Sequence, residues 1–482
     1  MNRKSIPEFA IVGHPNEGKS SVVSTLAEDD SVRVTPTPGE TIECQTFPVT
    51  IDGKELIRFI DTPGFQNPKA TLQWMREYTG PNEMIAQAFR EAHLGNTDFR
   101  DDCELLEPIT KGAGIIYVVD GSRPLRKVDL AEMEILRLTG CPRIAIINCK
   151  ETEQNYLEQW KSEFRKHFNA VRRFNAHKAT YAERIALLEN LKSIDQDWQP
   201  VLETVIDAFK NDWEERNLVT ADIICRMLTD CLTHSVSRNI SENASEEKVR
   251  QEVISKYSRD IEEKERNAHN RIRKLFKHNI FNYELPTHSI LHEDLFNQKT
   301  WQVLGLTRKQ LIITAGVGGA AIGAAIDVAA AGITFGLFSS ITGALGAGWA
   351  AFGGDKRLAR TKVAGLSLGG QLIKTGPHEH IQFLYVLLDR ALIFYAHTIN
   401  WAHGRRDFDQ ADKDGKLTAK AGLTYEWDES SRKICLEFFK SLRSDDDEKR
   451  EAARNELKKM LRKTLHKLSN TKRRYGLVER LK

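Results

Sequence analysis

The sequence predicts an α/β N-terminal domain on a doubly wound, mostly parallel sheet, followed by a mainly α-helical C-terminal half. Three observations carry this expectation. A glycine-rich loop lies between a strand and a helix at residues 13–20. Four short β-branched runs alternate with helical stretches in the first 180 residues. Beyond residue 180 the composition turns charged and helix-rich.

The loop reads Gly13-His14-Pro15-Asn16-Glu17-Gly18-Lys19-Ser20, after the buried-strand pattern Phe9-Ala10-Ile11-Val12 and before the helical pattern from Ser21. G-x-x-x-x-G-K-S in this context is a phosphate cradle: backbone N–H groups converge on phosphate oxygens at a positive helix end. Lys19 would reach the β- and γ-phosphates, and the Ser20 hydroxyl would bind Mg²⁺.

The run Leu56–Ile60 ends in Asp61-Thr62-Pro63-Gly64. A strand-end Asp can hold Mg²⁺ through water, and the Gly64 N–H can sense a γ-phosphate. Between the two motifs lies Thr35-Pro36-Thr37-Pro38-Gly39-Glu40-Thr41. A threonine here could close on Mg²⁺ and the γ-phosphate; Thr41 is preferred over Thr37 and Thr35. The runs Gly114–Asp120 and Arg143–Asn148 suit parallel strands covered on both faces. The nucleotide is then expected at the strand carboxyl ends.

"GHPNEGKS", "PGETIE", "DTPGF" and "IIYVVDGS" together resemble the bacterial translation-factor-class GTPases related to Era and to the tRNA-modifying GTPase TrmE, over roughly residues 6–180. The resemblance implies a G domain that binds GTP and GDP and hydrolyses GTP. It assigns Gly13, Asn16, Glu17, Gly18, Lys19, Ser20, Ser21 and Gly64 to phosphate binding, and Ser20, Thr41 and Asp61 to Mg²⁺. The family's base-reading motif, N-K-x-D, is replaced by Asn148-Cys149-Lys150-Glu151. A carboxylate at Glu151 can still accept from guanine N1–H and its exocyclic amine. Asn175-Ala176-His177-Lys178 falls where the family has its S-A-K loop, so Ala176 joins the base-binding set; an ordinary polar loop is the alternative.

Ras-like enzymes place a water-orienting Gln just after D-x-x-G. Here that residue is Phe65, which cannot orient water, so slow turnover is expected. In the resembled family a phosphate-loop Asn helps hold K⁺, which supplies transition-state charge when two G domains pair. Asn16 occupies that position, so Lys19, Thr41 and Asn16 form the catalytic set. Asn16 could also serve only to shape the loop.

Residues 65–111 form an insertion, helical over 70–93, with Trp74, Met75, Tyr78, Ile85 and Phe89 available for one apolar face and a partner surface nearby. From 181 to 300 the chain reads as charged helices. Residues 301–362 hold a Gly/Ala-rich apolar hairpin, and residues 363–482 a helical domain with a basic tail from Arg454. Within 311–352 the single charge is Asp327, and the stretch is long enough for two spans of ~20 residues. Arg308 and Lys309 precede it, and Lys356, Arg357 and Arg360 follow, as expected for a hairpin with both ends cytoplasmic. Association with the inner membrane is therefore expected; a buried hairpin of a soluble domain is the alternative. The tail offers anionic lipid, RNA or a ribosome as partner. A net charge of +3 dictates no partner by itself. Seven scattered cysteines form no disulfide framework and fit a reducing cytoplasm. The N-terminal residues lack the apolar run of a secretory leader.

Overall fold

The computed structural model describes residues 6–14, 17–27, 43–51, 54–148, 156–174, 181–240, 245–276, 371–399 and 422–470, with short pieces between 291 and 367. The chain divides into two compact units. The first is mainly residues 1–213 and the second mainly 214–398 and 409–468.

The first unit is built on six strands: β1 (Glu8–Val12), β2 (Gln45–Ile51), β3 (Lys54–Asp61), β4 (Gly114–Asp120), β5 (Arg143–Asn148) and β6 (Ala170–Phe174). Their order is β2-β3-β1-β4-β5-β6, and only the β2–β3 pair is antiparallel. This is the doubly wound, mostly parallel sheet read from the sequence. Side chains alternate across it with the strand period of two. Ala10, Val12, Ile115, Tyr117 and Val119 join one core, whereas Phe9, Ile11, Ile116 and Val118 join the other. Both faces are dry, which explains why these strands read as continuous apolar runs.

Helix α1 (Lys19–Ala27) covers one face. The other carries α2 (Pro68–Glu77), α3 (Ile85–His93), α4 (Arg100–Thr110), α5 (Lys127–Leu138) and α6 (Leu157–His167). The stretch read as helical over 70–93 thus resolves into two helices. Met75, Ile85 and Phe89 are buried as expected, and Trp74 and Tyr78 stack at 5.6 Å beside them. The insertion packs its apolar face onto the sheet core. Helix α7 (Tyr181–Ile194) and the first residues of α8 (Gln199–Leu232) complete the opposite face through Leu187, Leu191, Leu202 and Val205.

In the second unit, β7 (Val236–Ile240) pairs antiparallel with β8 (Gln371–Thr375). Around them run α9 (Glu246–Leu275), α10 (Gln298–Val303), α11 (Ile381–Ile399), α12 (Glu429–Ser441) and α13 (Asp447–Asn470). Helix α11 is apolar on nearly every side, as a central helix must be. Its two charges are satisfied internally. Asp389 accepts from the N–H groups of Gly305 (2.6 Å) and Thr424 (2.7 Å), while Arg390 forks onto Glu265 at 2.5 and 3.1 Å. Several cations of the basic tail are also paired: Arg454 and Lys458 reach Asp222, and Arg462 reaches Glu214.

Among the described residues no helix is long and apolar enough to cross a membrane. Most of the Gly/Ala-rich stretch, residues 315–352, lies outside the described residues, as does the tail beyond Asn470.

Candidate nucleotide site

The loop leaves β1 at Gly13, whose φ of +148° suits glycine. A Cβ there would lie 2.2 Å from the Val118 carbonyl oxygen on β4, so a side chain has no room. Gly18, with φ +92°, turns the chain into α1. Lys19, the first residue of α1, is 8% exposed, and its Nζ donates to the His14 carbonyl at 3.2 Å. Burial pulls the Lys19 ammonium below its ordinary pKa, while Asp61, Glu132 and Glu17 oppose that shift.

Ser20 and Asp61 meet although 41 residues apart, because β1 and β3 are parallel neighbours and end together. The Ser20 hydroxyl donates to Asp61 Oδ2 at 2.6 Å, and Asp61 is 2% exposed. Thr62 is locked beside them, its hydroxyl donating to the Ile11 carbonyl at 2.7 Å. A buried carboxylate and a hydroxyl in contact are the oxygen donors a hard divalent cation takes. Ser21 is buried on α1, Gly64 is half-buried in the loop after β3, and Phe65 is buried in the core. The position that would orient water is thus spent on packing.

Asn148, at the carboxyl end of β5, is buried, and its Nδ2 donates to the Glu17 carbonyl at 3.0 Å. The strand that leads to the base-reading segment is thereby tied to the phosphate loop. The remaining predicted residues, Asn16, Thr41, Lys150, Glu151 and Ala176, lie outside the described residues.

Two supports escaped the sequence reading. The Glu17 carboxylate accepts from the Asp120 N–H and from Arg123 Nε, and Arg123 forks onto Asp129 at 2.7 and 2.9 Å. His14 Nδ1 lies 3.1 Å from Glu132, which is fully buried and accepts from the Tyr117 hydroxyl at 2.7 Å. One signal was available. Asp129 and Glu132 interrupt the core-facing positions of α5, among Ala131, Met133, Ile135 and Leu136, and buried acids require partners.

Residues 162–463 match the family described as "Domain of unknown function (DUF3482)". The chain belongs to this DUF3482 family. Ahead of that region, and not overlapping it, residues 8–149 match the family described as "50S ribosome-binding GTPase". GTPase Der of Pseudothermotoga lettingae is 42% identical over 146 residues, covering 30% of this chain and 28% of Der. The tRNA modification GTPase MnmE of Thermoanaerobacter sp. is 25% identical over 217 residues, covering 44% of each chain. This chain therefore spans less than half the length of these two relatives. A crystal structure of a single-site variant of Aquifex aeolicus Era bound to GDP·AlF4⁻ aligns with a TM-score of 0.25 and 15% identity, over 56% of this chain and 89% of Era. The DUF3482 chain thus carries an N-terminal GTP-binding GTPase domain of the Der and MnmE kind.

Proposed function

We propose that the whole protein binds GTP and hydrolyses it slowly to GDP and phosphate, acting as a nucleotide switch at the cytoplasmic face of the inner membrane. The observation that carries the reading is the contact of Ser20 with Asp61 beside the buried Lys19. Gly13, Asn16, Glu17, Gly18, Lys19, Ser20 and Ser21 cradle the phosphates, and Gly64 senses the terminal one. Ser20, Asp61 and Thr41 would hold Mg²⁺. Bound there, Mg²⁺ would offset phosphate charge. Lys19 supplies a fixed positive charge to the β- and γ-phosphates. Asn148, Lys150, Glu151 and Ala176 hold the base, with Glu151 accepting from guanine. Asn16 supports a K⁺ dependence, shared across paired G domains. The apolar stretch 311–352 and its basic flanks support membrane association.

The test is nucleotide binding and hydrolysis by the full chain. Lys19→Ala should abolish binding, and Glu151→Ala should erase a preference for guanosine over adenosine triphosphate. Exchanging KCl for NaCl should slow turnover. Equal wild-type affinity for the two triphosphates would refute the GTPase reading. In a carbonate-washed cell fraction the protein should remain in the membrane pellet. Co-sedimentation with ribosomes instead would favour a second reading, an assembly GTPase with its basic tail on RNA. That reading is supported by the "50S ribosome-binding GTPase" match.

A further inference from the structure

Helix α4 touches both segments that flank the proposed γ-phosphate sensors. Asp102 is fully buried, and its Oδ2 accepts from the N–H groups of Gln66 (3.2 Å) and Asn67 (2.9 Å), immediately after Asp61–Phe65. Its Oδ1 accepts from the Thr71 hydroxyl at 3.1 Å. The Gln66 side chain adds two bonds to the same region, donating to the Thr97 carbonyl at 3.0 Å and accepting from the Asp101 N–H at 3.2 Å.

The second contact is made two residues along the helix. Glu104 Oε1 accepts from the Cys44 N–H at 3.0 Å, and the Glu104 carbonyl accepts from the Cys44 thiol at 3.4 Å. Cys44 follows Thr41 by three residues and directly precedes β2. The helix frees that carbonyl by its own sequence. In an α-helix the carbonyl of residue 104 would accept from the N–H of residue 108, and residue 108 is a proline, which has none. A proline inside α4, costly in isolation, thus opens an acceptor that the thiol fills. Burial, with Glu104 nearby, pushes the Cys44 thiol up to about 12, so it keeps its proton and can donate at neutral pH.

We propose that α4 is a positioning element for GTP hydrolysis, with Asp102 fixing the segment behind Asp61–Gly64 and Glu104 fixing the start of β2 behind Thr41. The inference rests on the GTPase reading above. Neither residue is assigned to the nucleotide. They set the register of the residues after Gly64 and of the start of β2, and loss of either anchor slows hydrolysis more than it weakens GDP binding.

The experiment compares full-length wild type, Asp102→Ala, Asp102→Asn, Cys44→Ala and Glu104→Gln. GTP turnover at saturation and affinity for fluorescent GDP are measured in parallel. Asp102→Ala strands two backbone donors and a hydroxyl, so turnover should fall about tenfold or more while GDP affinity stays within about threefold. Asp102→Asn should restore most of the rate, since its carbonyl can accept both N–H groups while its amide donates to Thr71 Oγ1. Cys44→Ala, at a half-buried site, should slow turnover about two- to fivefold, with Glu104→Gln near wild type. Wild-type turnover in both Asp102→Ala and Cys44→Ala would overturn the positioning role while leaving the GTPase reading intact. So would a parallel loss of GDP affinity and turnover, which marks a purely structural role. A wild-type protein with no GTP turnover would overturn both readings together.

Discussion

Glu17 and Arg123 form an ion pair at 2.5 Å behind the phosphate loop, with side chains 5% and 19% exposed. A carboxylate beside a proposed phosphate site is repelled by the ligand, so its charge must be held elsewhere. Arg123 does this while also engaging Asp129, and its guanidinium lies 4.9 Å over the Trp160 ring. Burial still raises the Glu17 pKa against that attraction. Arg123→Met should therefore destabilise the first unit by about 3–5 kcal/mol, because it leaves the buried Glu17 and Asp129 with Arg126 in place of their shared fork. Adding Glu17→Gln should recover at least half of the loss in a double-mutant cycle. Urea unfolding measures both, and a cost below about 1 kcal/mol would mean that the pair behaves as a surface pair.

Gly13 and Gly112 separate two reasons for a glycine. Both have positive φ, but a Cβ at Gly13 meets the Val118 carbonyl whereas one at Gly112 meets nothing within 4 Å. Gly112→Ala should cost only the left-handed strain, about 1–2 kcal/mol. Gly13→Ala must also move the loop off β4, and should reduce GTP affinity at least about tenfold. Urea unfolding checks the first, and titration of a fluorescent guanine nucleotide into each variant checks the second. Equal affinities for the two variants would show that the loop tolerates the shift.

The first unit was legible because its signals are local. Phe9–Val12, Gly114–Asp120 and Arg143–Asn148 are dry on both faces, so each reads as an unbroken apolar run, and the glycine loop announces the turn after β1. Ser20 and Asp61 could be placed together from motif spacing alone, since parallel strands end on one side. The supports could not. Glu132 under His14, and Asp102 under Gln66 and Asn67, are pairings made by tertiary packing, with no fixed spacing to betray them. The second unit is harder for a related reason. Residues 363–482 read as a helical domain, yet 371–375 pairs with the distant strand 236–240, a contact that no local pattern encodes. Asp389 and Arg390 look misplaced in an apolar helix until Gly305, Thr424 and Glu265 are brought against them.

Among the described residues of the second unit, three buried histidines make stability depend on acid. Burial lowers His269 to about 4, where it stacks on Phe394 at 4.0 Å beside Arg390, with Glu265 opposing the shift. His378, packed on Phe383 and facing His380 and Arg443, is lowered to about 3 by burial first and then by those cations. Burial alone lowers His397 to about 4. An unfolded histidine titrates near 6.5. Between pH 6.5 and 4 the unfolded chain therefore binds more protons than the folded one, so stability rises with pH across that window. The contribution is complete above about pH 6.5 and is lost progressively on acidification, at up to ~1.4 kcal/mol per pH unit for each histidine. Glu265, which Arg390 holds below its ordinary value against the cost of burial, acts in the same direction but only below about pH 4.5. The melting temperature should thus be level from pH 8 to 7 and fall from 6.5 to 5. His378→Gln should flatten that fall by about a third, since it removes one of three titrating groups while keeping a polar side chain. Scanning calorimetry of wild type and variant at half-unit intervals checks this, and a melting temperature unchanged between pH 7 and 5 would show that these histidines take up protons as readily in the folded state as in the unfolded one.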